Sequence, residues 1–191
     1  MNESAHPVVE ELRGRETASL AAAREPSGIP VEPGFYAWWL IDRSALPDIP
    51  LDDSPPHLLY VGIAPSRASS SATLRSRVLG NHVGGNLAAS TFRRSLAALL
   101  WRREGWTPYV TAKRKLRFTT EDNAALTAWQ FEHLLLTWAV TTEPWQIEAQ
   151  VIADLKPPLN VDHNSAHVFC ATIKQARADC LASAAPWPRS A

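Results

Sequence analysis

The sequence predicts a mixed α/β domain in which short antiparallel strands are flanked by helices, and three observations point to it. Residues 33–41 (Pro33-Gly34-Phe35-Tyr36-Ala37-Trp38-Trp39-Leu40-Ile41) and 58–63 (Leu58-Leu59-Tyr60-Val61-Gly62-Ile63) are aromatic or β-branched runs bounded by Pro, Gly, Asp and Ser, the pattern of strands. Residues 134–140 are a third apolar run of strand length, for which a helix stays open. Elsewhere apolar residues recur at helical spacing between capping residues and prolines. The chain has 191 residues, 46% of them hydrophobic and 20% charged, which suits one globular domain with a sizeable core.

Taken in order, residues 6–25 predict an N-terminal helix closed by Pro26 and Gly28. The first two strands then pair most simply as antiparallel neighbours. With Tyr36 across from Tyr60, Trp38 faces Leu58 and both phenols leave the same face. Gly34 and Gly62, each two residues from a Tyr, leave room for a backbone or a phosphate to come close. The connection between the strands, residues 42–56, carries four prolines and four aspartates and reads as a solvated loop. A Ser-rich loop over 65–71 leads to Thr73, a helix cap before Leu74, Arg77 and Val78, and that helix runs down at Gly80. A second helix covers 88–101, with an arginine pair at each end, and residues 113–118 suit a basic edge strand. A further helix starts at Thr120 or Asp122. Pro144 sits at a helix N1 position, and that helix ends before Pro157-Pro158. A last helix spans about 166–184, before a Pro-Trp-Pro tail.

Charge is neutral overall but unevenly distributed. Between Arg67 and Arg117 stand eleven basic residues and one acid, Glu104, while the remainder holds eight basic and eighteen acidic residues. Such asymmetry suits a face built for an anion, polymeric phosphate above all, or simply a solvated basic face. Cys170 and Cys180 lie ten apart on one predicted helix, too far along its axis to pair, so two reduced thiols are expected. No charged-then-apolar leader opens the chain, and no run approaches the ~18 apolar residues of a membrane span. A cytoplasmic protein without a membrane partner is the expectation.

The chemistry-bearing residues are fewer. Along 145–155, Trp145, Ile147, Val151, Ile152 and Leu155 form one apolar arc with Glu148 inside it. A carboxylate there needs a compensating arginine or divalent metal, unless a buried Glu–Arg pair merely fixes the packing. Asn160 follows twelve residues later, just beyond the helix end. Arg77 shares a face with Leu74 and Val78 and so points inward or along a cleft wall. Asp162, His163 and His167 have a spacing that could hold a metal on a helix, while Asp162 or Asn164 could instead cap the last helix.

The ordered set Gly34-Phe35-Tyr36, Tyr60-Val61-Gly62, Leu74-Arg75-Ser76-Arg77-Val78 with His82, Glu148, and Pro157-Pro158-Leu159-Asn160 resembles the GIY-YIG nucleases over about residues 33–165. The resemblance implies a small three-stranded antiparallel sheet flanked by helices, on which a divalent-metal-dependent endonuclease hydrolyses DNA. It implies one ion per site, Mg²⁺ or Mn²⁺, held by Glu148. Tyr36 would deprotonate or position the attacking water, and Tyr60 would lie beside it at the phosphate. Arg77 would hold the scissile phosphate, His82 would serve as phosphate contact or proton relay, and Asn160 would brace the site. Arg75 is the alternative phosphate ligand, and Arg93, Arg94, Lys113, Arg114 and Lys115 are the expected nucleic-acid contacts. On this reading residues 1–30 are a helical extension, 31–165 the nuclease domain with a basic insert over about 83–133, and 166–191 a C-terminal helix and tail.

Phe35 and Val61 replace the usual aliphatic and Ile, and the loop between the two Tyr strands is long. His82 follows Arg77 by five residues where four is the expected spacing. DNA is the expected partner, with RNA open, and specificity would come from the insert, a homodimer or an accessory partner. A catalytically silent nucleic-acid-binding module on the same fold is the competing function. Against it, every position matching the family's site still holds a reactive side chain.

Overall fold

The computed structural model describes residues 4–46 and 48–187; the last residues of the Pro-Trp-Pro tail lie outside them. The chain opens with α1 (Ala5–Gly14), whose Ala5, Val8 and Leu12 are buried on one face. The single helix expected over 6–25 is broken. Residues 15–19 run extended, β1 (Ala18–Ser19) joins a sheet, and α2 (Leu20–Arg24) restarts behind Ser19. The Ser19 hydroxyl accepts from the Ala22 amide at 3.1 Å. A capping serine and an open strand edge here outweigh the helix propensity of the alanine run.

β2 (Gly34–Leu40) and β3 (His57–Ala64) pair antiparallel, as expected, but in a different register. Tyr36 lies across from Gly62 and Trp38 from Tyr60, with a bulge between Trp38 and Trp39. Steric room accounts for the shift. A Cβ on Gly62 would meet the Tyr36 hydroxyl at 2.3 Å, so only glycine opposite this phenol lets the ring lie across the strand. A Cβ on Gly34 would meet the Ala139 carbonyl at 2.1 Å. Both glycines therefore make room for protein, a side chain and a backbone, rather than for phosphate. The connection over 42–56 is less solvated than expected, since Ala45, Leu46 and Ile49 are buried and residues Arg43–Ala45 form a 3-10 turn.

The helix that follows does not stop at Gly80. Thr73 and Ser76 cap it reciprocally, each amide bonding the other's hydroxyl, and residues Ser76–Val83 wind as a π-helix. α3 (Thr91–Leu100) starts at its cap Ser90. β4 (Tyr109–Val110) and β5 (Leu116–Arg117) make a small hairpin, so only two residues of the expected edge strand pair. α4 (Thr120–His133), capped by Thr119, runs directly into β6 (Leu134–Val140), the expected third strand. Pro144 opens a 3-10 turn rather than the helix itself, and α5 (Glu148–Leu155) begins only at Glu148. It ends at Lys156, in the left-handed conformation before Pro157. α6 (Cys170–Ala182) starts later than expected; neither Asp162 nor Asn164 caps it, the Asn164 amide donating instead to the Pro157 carbonyl at 2.8 Å. Both cysteines are free and buried. β7 (Ala185–Pro186) adds in parallel to β4.

The main sheet therefore has four strands, ordered β1-β6-β2-β3 and antiparallel throughout, one more than expected. β2 lies between two neighbours and is buried along its whole length. One face carries Tyr36, Trp38 and Leu40 into a core shared with the π-helix, α3, α4 and α6. The other carries Phe35, Ala37 and Trp39 against α1 and α5. Among the described residues, no helix is long and apolar enough to cross a membrane.

Candidate active site

Tyr36 and Tyr60 leave the same sheet face, as expected, with ring centroids 6.5 Å apart. His82 closes the group from the π-helix, 5.2 Å from the Tyr36 ring and 6.2 Å from that of Tyr60. The Tyr36 hydroxyl and His82 Nε2 are hydrogen-bonded at 2.6 Å, and His82 Nδ1 and the Ser90 hydroxyl at 2.6 Å. Ser90 also accepts the Arg93 amide at 2.9 Å, so the residue that caps α3 fixes the imidazole as well. The five-residue spacing from Arg77 to His82 is explained by the winding. A π-helix bonds residue i to i+5, which stacks these two side chains on one side.

Arg77 is half-buried, and its Nε is enclosed without a partner. Asn160 is buried with its carboxamide clamped on one residue of β3. It accepts the Val61 amide at 2.9 Å and donates to the Val61 carbonyl at 2.8 Å. This clamp holds the strand between Tyr60 and Gly62.

Glu148 stands on the other layer and is coupled electrostatically to both phenols. It is the first residue of α5 and half-buried, not the centre of a core stripe. Among the described residues no ion pair includes Glu148 or Arg77, so the purely structural Glu–Arg pair is not formed.

The electrostatics follow from burial. Tyr36 is held well above the ordinary phenol range by burial, then by neighbouring Tyr60, with Arg77 opposing. Burial likewise pushes Tyr60 up to about 12, against Arg77. His82 is pushed down to about 3 by burial, with Arg77 and Arg93 adding to it, so the imidazole is neutral at physiological pH. Burial raises Glu148; His163 opposes this, Asp162 adds to it and Arg77 opposes it. Glu148 is thus a partly desolvated carboxylate that forms no ion pair among the described residues. Among the described residues no cluster of three His, Cys, Asp or Glu could hold a metal, including Asp162, His163 and His167. A single carboxylate nevertheless fits a hydrated divalent ion that completes its shell with waters and substrate phosphate.

Two expected nucleic-acid contacts are corrected. Arg93 is wholly buried, donating to the His82 and Val83 carbonyls, Asn123, Thr127 and Gln130. An arginine in the basic stretch thus anchors the end of the π-helix from inside. Arg75 donates to the carbonyls of Arg24, Glu25 and Ile29, holding the segment around the end of α2, which leaves Arg77 as the arginine at the phenols. Lys113, Arg114 and Lys115 are exposed on the β4–β5 turn. Sequence reasoning missed Ser90: its position three residues before Arg93 signals a helix cap, but nothing local signals its bond to His82.

A family model described as the GIY-YIG catalytic domain matches residues 34–179, more than half of the chain. No curated protein and no solved structure matches it significantly.

Proposed function

The chain belongs to the GIY-YIG nuclease family, and on that premise we propose that it is an active endonuclease that hydrolyses DNA phosphodiester bonds with a divalent ion, Mg²⁺ or Mn²⁺, at Glu148. The observation that carries this reading is the 2.6 Å bond between Tyr36 and a neutral His82, with Arg77 and Glu148 both acting electrostatically on Tyr36. A silent binding module has no need for a desolvated carboxylate, which costs stability unless something charged meets it.

In this reading Arg77 binds the scissile phosphate and offsets the charge that builds on it. Tyr36 takes a proton from the attacking water as it passes its own to His82 Nε2. No free phenolate is then required of a phenol whose pKa burial has raised. The bound phosphodiester brings the negative charge that offsets burial and Arg77 around the imidazole, making it the better acceptor. Ser90 keeps the ring oriented, and Tyr60 lines the phosphate. The ion supplies Lewis-acid stabilisation of the leaving oxygen.

The test is cleavage of supercoiled plasmid with Mg²⁺ by the wild type, Glu148→Ala and Arg77→Met, with an RNA substrate in parallel. Each substitution is expected to lower the rate by ~10³-fold and EDTA to abolish it. A folded wild type that binds DNA and leaves it intact with every divalent ion makes the protein a binding module.

A further inference from the structure

A second group of cations lies beyond the catalytic residues. Arg94 from α3, Arg177 from α6, and Arg114 with Lys115 from the β4–β5 turn line a cleft of about 350 Å³ with Leu116 and Leu181 in its wall. Among the described residues no acid lines the cleft and none of the four cations forms an ion pair. Like charges gathered on three separate elements repel unless an anion lies between them.

Arg177 is the informative member. It is half-buried, one end of its guanidinium donates to the Ser95 hydroxyl, and its Nε is enclosed without a partner. Burial and then the Arg94 charge disfavour its protonated form, while Tyr60 and Asp162 oppose them. Arg177 is thus coupled to Arg94 within the cleft and to Tyr60 outside it. Among the described residues the Arg94 guanidinium is tethered by its Nε alone, to the Leu87 carbonyl at 3.2 Å. Arg114 adopts φ +54°, the left-handed turn conformation that brings it and Lys115 to the rim.

We propose that this cleft is a second phosphate subsite, in which Arg94, Arg177, Arg114 and Lys115 hold a backbone phosphate of the bound nucleic acid other than the scissile one. The proposal rests on the nuclease reading. The subsite sets the path of the substrate across α3 and α6 and fixes the scissile phosphate in register at Arg77. Its contacts are to backbone charge, so it supplies affinity and register rather than base recognition.

The experiment measures binding apart from cleavage. A fluorescein-labelled duplex of ~20 base pairs is titrated in EDTA by fluorescence anisotropy, between ~50 and ~200 mM salt. Arg114→Gln/Lys115→Gln alters only exposed turn residues. It is expected to weaken binding about tenfold and to flatten the slope of log K against log salt by about 2, with Arg177→Gln flattening it by about 1. Unchanged affinity and slope in variants that melt like the wild type overturn the subsite. Calorimetry with inorganic phosphate alone separates the sources of anion. If the double variant loses phosphate binding but keeps full duplex affinity, the cleft serves a free anion and the proposal fails. Plasmid cleavage is scored separately: a wild type that cleaves while the variants bind as it does refutes only the subsite, whereas one that neither binds nor cleaves refutes both.

Discussion

His82 shows at the scale of one side chain what the fold imposes. A histidine five residues from Arg77 is unremarkable in the sequence; in the structure it is sealed among Tyr36, Tyr60, Trp38 and Phe92 and bonded at both nitrogens. Its folded pKa of about 3 lies below the ~6.5 of a free imidazole, so the folded state favours the neutral ring. Below pH ~6.5 the unfolded chain takes up a proton that the fold refuses, and stability is lost as pH falls toward the folded value. The urea midpoint is therefore expected to drop between pH ~6.5 and ~3, and His82→Gln to flatten that part of the profile. A wild-type profile that stays level there contradicts the buried neutral imidazole. The order of residues along the chain singles out Tyr36, Tyr60 and His82, and the structure brings these three together. The hydrogen bond from His82 to Ser90 was not legible there, because it joins residues whose approach depends on how the π-helix turns into α3.

At the scale of elements, the π-helix from Ser76 to Val83 is the device that reconciles the sequence with the site. An α-helical turn would carry His82 away from Arg77; the wider winding returns it to the same side. Gly80 reads in the sequence as a stop, yet the helix passes through it, and a Cβ there would meet nothing within 4 Å. Gly80→Ala is therefore expected to stabilise the protein by ~0.5–1 kcal/mol, measured by urea unfolding, with cleavage unchanged. A loss of activity would make Gly80 a working hinge and not a passive position. The strands were legible because aromatic runs between prolines and aspartates have few alternatives. Their register was not, since it turns on the space that Gly62 leaves for the Tyr36 ring, and the break after α1 depends on a strand edge more than a hundred residues away.

For the whole molecule, the candidate site draws its residues from two layers, one on each face of the sheet. Tyr36, Tyr60, Arg77 and His82 belong to the face covered by the π-helix, α3, α4 and α6, and Glu148 begins the helix packed on the opposite face. The uneven charge in the sequence suits an anion-binding face or a solvated one, and says nothing of the division of labour among its arginines. Arg93 became an internal brace and Arg75 ties down the segment after α2, whereas Arg94, Arg114 and Lys115 gathered with Arg177, which lies outside the basic stretch. The central claim is that the two layers enclose one phosphodiester and its counter-ion, and crystals grown with Mn²⁺ and a short phosphorothioate duplex test it most directly. An anomalous manganese peak at the Glu148 carboxylate and a backbone phosphate on Arg77 beside Tyr36 and Tyr60 are expected. Manganese bound elsewhere, or a duplex that leaves Arg77 untouched, would contradict that claim.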